Sequence, residues 1–125
     1  MIADDFNVTI EDWRIFCDGG CLEYAMEEGD SAEIMSIDVH WKRQGIGTEL
    51  VKTFENLAKS QGYKLVCVPV SLSSEAILFW LSMGYILSDK RDKRKMNKIL
   101  MSDNYNSCDD GQGVLAMEKQ IITLT

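Results

Sequence analysis

The chain has 125 residues, of which 46% are hydrophobic and 26% charged, and its formal net charge is -7. This length accommodates one core, so we expect a single domain over residues 1–125. No apolar run approaches the roughly 20 residues of a membrane span, and the acidic residues 1–6 lack the order of a secretion signal. We therefore expect no membrane partner, and a cytoplasmic location, with the nucleus (entered by diffusion) as the alternative.

The charge is distributed unevenly. Residues 89–98 carry six basic and two acidic side chains, a local charge of +4, which leaves -11 for the other 115 residues. Such an acidic body repels nucleic acid and attracts cationic partners such as amines or lysine-rich peptides. We expect no direct nucleic-acid binding, and we interpret segment 89–98 either as a solvated helix face or as a partner-binding patch.

The cysteines do not form a metal-binding pattern. Cys17, Cys21, Cys67 and Cys108 include no Cys-x-x-Cys pair, and His40 is the only histidine. Because a structural zinc site needs four closely spaced nitrogen or sulfur ligands, we expect no metal. The thiols are expected to be free and reduced.

The first third of the chain has the pattern of a strand meander. Residues 12–17 and 21–26 are predicted strands, joined by a turn at 18–20 that contains two glycines. A second turn at 28–30 leads into a third predicted strand over 32–39.

From residue 47 the hydrophobic period changes to that of a helix. An amphipathic helix is predicted over 47–61, and Gly62 closes it. A strand over 63–70, buried on both faces, and a helix over 76–83 capped by Ser73 follow. The remaining predicted elements are a strand over 85–88, a polar helix over 89–101, a loop over 102–112 and a strand over 113–122. This order predicts an α/β domain with a mixed sheet and a crossover helix at 47–61.

The glycine-rich turn at residues 42–48 (Lys-Arg-Gln-Gly-Ile-Gly-Thr) lies between a predicted strand and the predicted helix. Backbone N–H groups at a helix N-terminus are unpaired and carry partial positive charge, and glycines allow several of them to converge on one phosphate. The turn therefore predicts a phosphate or pyrophosphate ligand. A Rossmann fingerprint is excluded by Leu50 at the third glycine position, and a Walker loop by Thr48-Glu49 after Gly47.

Two segments resemble motifs of the GNAT family of N-acetyltransferases. Residues 35–51 resemble motif A, in which a strand and an aromatic residue precede Arg/Gln-x-x-Gly-x-Gly/Ala and an amphipathic helix. Residues 73–85 resemble motif B, which typically reads Asn-x-x-Ala-x-x-Phe-Tyr-x-x-x-Gly-Phe. The resemblance covers residues 32–88 well. It implies a mixed central sheet flanked by helices, and here most of the family's usual N-terminal strand and helices would be lacking.

The resemblance also implies acetyl-CoA as the cofactor. The backbone of Ile37 to Val39 would pair with the pantetheine arm and supply an oxyanion donor near Ile37, and the backbone N–H groups of Arg43 to Thr48 would bind the pyrophosphate. Ser73 stands where the family often has an Asn that contacts the pantetheine arm. The full set of implied cofactor-binding residues is Ile37, Asp38, Val39, Lys42, Arg43, Gln44, Gly45, Ile46, Gly47, Thr48, Ser73, Phe79 and Trp80.

This sequence departs from the family at positions that matter for catalysis. Lys42 replaces the usual Arg or Gln and so loses a planar fork. Trp80 replaces the Tyr that often protonates the departing thiolate, which an indole N–H cannot do. Tyr85 matches a core Phe and is interpreted as a packing residue. No general acid is assigned, and direct attack with water protonating the thiolate would suffice.

Glu33 is the candidate general base. By strand alternation the side chains of residues 33, 35, 37 and 39 would share one face. Some protein-lysine acetyltransferases of the family carry a Glu on the equivalent strand, two residues further from the glycines. The alternatives are that Glu33 is a surface carboxylate, or that another residue serves instead: Asp38, which by alternation would point to the other face and ranks lower, or Glu23 or Tyr24 on the preceding strand.

The function implied is transfer of acetyl from acetyl-CoA to a primary amine, with a protein lysine or N-terminus favoured over a small cationic molecule. A non-catalytic acetyl-CoA-binding regulatory module is the alternative from another functional class. A homodimer through residues 113–125 is a further expectation, because small GNAT domains often pair through C-terminal strands.

Overall fold

The computed structural model describes residues 7–40, 45–101 and 114–121. The chain divides into two compact units, Met1–Val66 with Gln120–Thr125, and Cys67–Lys119. Among the helices in the described ranges, none combines the length and the apolar character needed to cross a membrane.

The described residues form seven strands, three α-helices and one 3₁₀ turn. The strands are β1 (Thr9–Glu11), β2 (Arg14–Cys17), β3 (Gly20–Met26), β4 (Ser31–Val39), β5 (Leu65–Ser71), β6 (Ile86–Leu87) and β7 (Val114–Gln120). The α-helices are α1 (Ile46–Ser60), α2 (Ser74–Ser82) and α3 (Lys93–Leu100), and the 3₁₀ turn at Lys90–Asp92 precedes α3. This is the predicted α/β class with a mixed sheet flanked by helices.

In the first unit, β1 to β4 form an antiparallel meander. The pair Glu11↔Arg14 leaves Asp12 and Trp13 as a two-residue turn, with φ angles of 53° and 66°. Positive φ angles at both central residues are typical of a type I′ hairpin turn, in which these positions are usually glycine or asparagine. The predicted strand over 12–17 therefore begins later, at Arg14.

Helix α1 packs on β2, β3 and β4 of this meander. The predicted apolar stripe is confirmed, because Leu50, Val51, Phe54 and Ala58 are all fully buried. The Phe54 ring lies 4.9 Å from that of Tyr24 on β3. The helix ends at Gln61, whose N–H donates to the carbonyls of Leu57 and Ala58. The N–H groups of Lys64 and Leu65, at the start of β5, donate to the Asp30 carbonyl just before β4, and α1 connects the two strands along the chain.

Gly20, the first residue of β3, allows α1 to approach the sheet closely. A Cβ atom at this position would lie 2.6 Å from Ile46 Cγ2 and 3.1 Å from Leu50 Cδ1. Both contacts are shorter than normal van der Waals distances. The absence of a side chain at Gly20 therefore determines where the first turn of α1 sits.

We expect Gly20→Ala to destabilise the protein by roughly 1–3 kcal/mol, because the new methyl group overpacks the core against Ile46. Urea unfolding of Gly20→Ala, Ile46→Ala and the double variant measures the effect. The double variant should show a coupling energy of about 0.5–3 kcal/mol, since shortening Ile46 makes room for the methyl group. A coupling energy near zero would contradict the close approach.

In the second unit, β7 lies between β5 and β6. Strand β6 pairs with β7 in antiparallel register, Ile86 opposite Glu118. The prediction that β5 is buried on both faces holds only in part. Val66, Val68 and Val70 are buried on one face, whereas on the other face Leu65 and Cys67 are half-buried and Pro69 is exposed.

Helix α2 begins as predicted, because the Ser73 hydroxyl accepts a hydrogen bond from the Ala76 N–H at 3.1 Å. Tyr85 is 1% exposed, which confirms its interpretation as a packing residue. The predicted polar helix over 89–101 is split into the 3₁₀ turn and α3. The predicted loop over 102–112 lies outside the described residues.

Candidate functional site

The start of α1 is the feature that the sequence singled out. Gly45 is the N-cap residue, in the left-handed conformation (φ 80°, ψ 3°), and no side chain caps the helix. The first intrahelical bond runs from the Glu49 N–H to the Gly45 carbonyl, at 3.0 Å. The N–H groups of Ile46, Gly47 and Thr48 therefore have no capping acceptor among the described residues and are available to an external one.

The electrostatics of this helix start favour an anion. Aligned peptide dipoles place about half a positive charge at the N-terminus of a helix of this length. Glu49 in the first turn carries a half-buried carboxylate, and its negative charge acts against the binding of an anion. A left-handed residue followed by helical residues is also the backbone arrangement that forms concave anion sites. The structure thus fits a phosphate group at Gly45–Thr48.

The predicted basic rim of the turn is not described. Lys42, Arg43 and Gln44 lie outside the described residues, so their contacts with a cofactor stay predictions.

The end of β4 leads directly to this helix start. Ile37 and Val39 are half-buried, and Asp38 is exposed. The Asp38 carboxylate lies 3.7 Å from His40 Nε2, and the His40 N–H donates to the Gly19 carbonyl at 2.7 Å. Helix α1 contacts β4, so the structure brings two of the predicted cofactor segments, 37–39 and 45–48, into one region of the first unit.

A β-bulge interrupts β4 at Met35. Glu23 of β3 pairs with Ser36 and the next residue, Tyr24, pairs with Ile34, so Met35 has no partner on β3. Such an extra residue switches the side-chain alternation of a strand, and bulges are frequent beside active sites. Neither composition nor periodicity indicates it.

Because of the bulge, the predicted shared face of residues 33, 35, 37 and 39 is wrong. Glu33 pairs with Ala25, whose neighbour Tyr24 points toward α1, so Glu33 lies on the opposite face of the sheet. Beyond the bulge, Ile37 pairs with the fully buried Leu22 on the α1 face. Glu33 is exposed and is separated from Ile37 by the sheet itself, so its role as general base stays an untested prediction.

The face of β3 and β4 that points away from α1 is acidic. Glu23, Glu33 and Asp38 are exposed on it. The Ser36 hydroxyl donates a hydrogen bond to Glu23 Oε1 at 3.0 Å. This pairing joins two residues 13 positions apart that the uninterrupted alternation would have placed on opposite faces.

Three predicted cofactor residues belong to the second unit. Ser73 already accepts the capping bond of α2, and its hydroxyl retains one proton to donate. Trp80 is only 3% exposed, with its ring in edge contact with Phe79 at 5.0 Å and with Tyr85 at 4.9 Å. Packing is therefore the observed role of Trp80. Phe79 is half-buried, and cofactor contact by all three residues stays a prediction.

Cys17, at the end of β2, is a poor nucleophile. Burial raises the pKa of its thiol above the ordinary value, and the carboxylates of Asp18 and Glu49 raise it further. The reactive form of cysteine is the thiolate, so Cys17 stays protonated at neutral pH. Within the described ranges, no group of three or more His, Cys, Asp or Glu side chains is placed to hold a metal ion.

A strand, a left-handed glycine and an amphipathic helix without a side-chain cap thus follow one another in an α/β domain. The family model described as Acetyltransferase (GNAT) domain matches residues 18–103, more than half of the chain. The chain therefore belongs to the GNAT acetyltransferase family. No curated protein matches the sequence.

Solved structures share this fold. The ribosomal-protein-S18-alanine N-acetyltransferase from Escherichia coli has a TM-score of 0.64 and 18% identity, over 90% of this chain and 69% of that chain. The PaiA N-acetyltransferase from Thermoplasma acidophilum, in complex with coenzyme A, has a TM-score of 0.61 and 18% identity, over 86% of this chain and 58% of that one. The anti-CRISPR protein AcrVA5 has a TM-score of 0.59 and 22% identity, over 85% of this chain and 95% of that chain.

Proposed function

We propose that this protein is an acetyl-CoA-dependent N-acetyltransferase that acts on a primary amine. The observation that carries the proposal is the start of α1, where three backbone N–H groups after Gly45 have no capping acceptor among the described residues. Family membership favours coenzyme A among phosphate ligands, and the Thermoplasma acidophilum relative was solved with coenzyme A.

Each part of the chain has a distinct task in this proposal. The N–H groups of residues 46–48 hold the pyrophosphate, and the residues of β4 beyond the bulge orient the pantetheine arm. Acetyl-CoA, when bound, supplies the activated thioester. The bulge at Met35 frees backbone groups of β4 from the regular ladder, and a freed N–H can stabilise an oxyanion.

The chemical step that we propose is direct transfer. The unprotonated amine forms a bond to the acyl carbon, the carbon–sulfur bond breaks, and the sulfur leaves with the electron pair. The proton that the amine loses passes to water, and water protonates the thiolate. A covalent intermediate on Cys17 is disfavoured because the raised pKa of its thiol keeps it protonated.

The acceptor that we propose is cationic, with a protein lysine or N-terminus ahead of a small molecule. The exposed carboxylates of Glu23, Glu33 and Asp38 contribute to the net charge of -7, which favours a cationic acceptor over an anionic one. The Escherichia coli relative is named for acetylation of a ribosomal-protein alanine, so a protein acceptor has a precedent within the fold.

Calorimetric titration of the purified protein with acetyl-CoA tests the first part of the proposal. We expect saturable binding at one site. Pantetheine, which lacks the nucleotide and its pyrophosphate, should bind more weakly. A folded protein that takes up no acetyl-CoA would refute the proposal. Incubation with acetyl-CoA and lysine-rich peptides, followed by mass spectrometry, then tests transfer, and each acetylated amine should gain one acetyl group.

A non-catalytic acetyl-CoA-binding module is the second candidate. The position of Glu33, across the sheet from Ile37, favours it because the predicted base is then remote from the predicted cofactor segment. Saturable acetyl-CoA binding together with no acetylation of any peptide, N-terminus or polyamine would support the module over the enzyme.

A further inference from the structure

The basic surface of the second unit consists of Lys90, Arg91, Lys93, Arg94, Lys95 and Lys98. All six side chains are exposed, on the 3₁₀ turn and on α3. Four of them, together with Asn97, line an open depression between the two elements. Cations that surround one shallow, open depression present several donors to one ligand.

Five of these six cations lack an ion-pair partner among the described residues. Arg91 is the exception, because its guanidinium forms a bidentate pair with the Asp89 carboxylate. Arg91 Nε donates to Asp89 Oδ1 at 3.1 Å, and a terminal nitrogen donates to Oδ2 at 2.9 Å. This pair lowers the pKa of the Asp89 carboxyl, chiefly through the hydrogen bond from the Arg91 side chain. One arginine of the surface therefore already binds a carboxylate, that of Asp89, in bidentate geometry.

The remaining cations repel each other. Arg94 and Lys98 lie four residues apart on α3, and like charges at this spacing destabilise a helix. Lys90 adds a further positive charge on the 3₁₀ turn that precedes α3. Helix α3 has only eight residues, too few to be stable alone. It is held by the fully buried Ile99 and by its packing on α2. An anionic ligand would relieve the repulsion.

We propose that the basic surface docks a short acidic segment of a partner protein. The surface is only about 13 Å long, from a rise of about 2.0 Å per residue along the 3₁₀ turn to residue 92 and 1.5 Å per residue from there to residue 98. Charges beyond roughly 8 Å are screened at physiological ionic strength. A segment of a few Asp and Glu residues fits within these bounds. A nucleic-acid strand would extend past this surface, and the residues outside 89–98 carry a net charge of -11, which repels it. Charge complementarity and length thus select an acidic peptide.

Fluorescence anisotropy with a labelled ten-residue Asp/Glu peptide and a labelled ten-nucleotide oligo-dT, both without acetyl-CoA, tests this proposal independently of the proposed enzymatic function. We expect the peptide to bind more tightly than the oligonucleotide, and its affinity to fall as salt is raised. The triple variant Lys90→Glu/Arg94→Glu/Lys98→Glu should lose at least about tenfold in affinity. The matched control Lys52→Glu/Lys59→Glu/Lys64→Glu changes the same charge on exposed lysines of the first unit, and it should lose less than about threefold.

Three results would overturn the proposal: no peptide binding by the wild type, an equal loss in both triple variants, or tighter binding of the oligonucleotide. The neutral variant Lys90→Gln/Arg94→Gln/Lys98→Gln guards against a folding artefact. It removes the repulsion between residues 94 and 98 of α3, so it should melt at or above the wild-type temperature while still binding the peptide more weakly.

Discussion

The double variant Gly45→Glu/Gly47→Glu is expected to bind acetyl-CoA at least about 100-fold more weakly than the wild type, a loss of about 2.7 kcal/mol. Two carboxylates would then occupy the helix start that we propose for the pyrophosphate. Like charges about 4 Å apart near a protein surface repel by several kcal/mol. The carboxylates would also neutralise the dipole that attracts the anion. Titration calorimetry measures the change.

The matched control for this variant is Gly45→Gln/Gly47→Gln. It introduces side chains of the same size and the same backbone cost at Gly45, where the positive φ strains any residue with a Cβ atom. We expect an intermediate affinity, because bulk hinders the ligand but no charge repels it. If the Glu and Gln pairs bind acetyl-CoA equally well, the helix start does not hold the phosphates.

Phe54→Ala is expected to destabilise the protein by about 3–5 kcal/mol, the usual range for a fully buried phenylalanine. Phe54 is 0% exposed, and its ring packs against that of Tyr24, which links α1 to β3. Typical domains have only 5–15 kcal/mol of total stability, so a large part would be lost. Urea unfolding followed by circular dichroism measures the difference.

Lys52→Ala serves as the control for Phe54→Ala, because Lys52 is an exposed residue of the same helix. We expect its effect to remain within about 0.5 kcal/mol. A loss below about 1 kcal/mol in Phe54→Ala would mean that α1 does not pack on the meander through this ring.

The elements that the sequence predicts well are those specified by local signals. Helix α1 follows from its apolar period and from Gly62, and α2 from the hydroxyl of Ser73. The packing role of Tyr85 follows from its place in an apolar motif. Each of these depends on a few neighbouring residues, so the pattern alone contains the information.

The features that could not be predicted depend on pairing between strands. The bulge at Met35 arises from the register of β4 against β3, and it reverses the face on which Glu33 lies. Exposure of Pro69 likewise depends on what covers β5 and not on the apolar run itself. Asp12 and Trp13 are not typical residues of a type I′ turn, so no composition rule indicated the hairpin between β1 and β2.

The candidate site was predictable in part for the same reason. Gly45 and the helix after it are a local motif, and the uncapped start was foreseen from the glycines. The face on which Glu33, the candidate base, lies is set by the bulge, so strand alternation alone predicts a face that the structure does not have. For residues 42–44 of the turn, contact with the cofactor is predicted from the sequence alone.

The strand order has a consequence for how the protein folds. Strands β1 to β4 pair with their neighbours in sequence through short turns, so each pairing closes a small loop, and hairpins of this kind form in about 1–10 μs. Strand β7 instead inserts between β5 and β6, and it is separated from β5 by all of residues 72–113. Closing so long a loop slows folding. We therefore expect the meander to acquire protection from hydrogen exchange first. The edges of β5 and β6 stay unpaired until β7 joins them. Insertion of β7 is thus the step at which aggregation competes with folding.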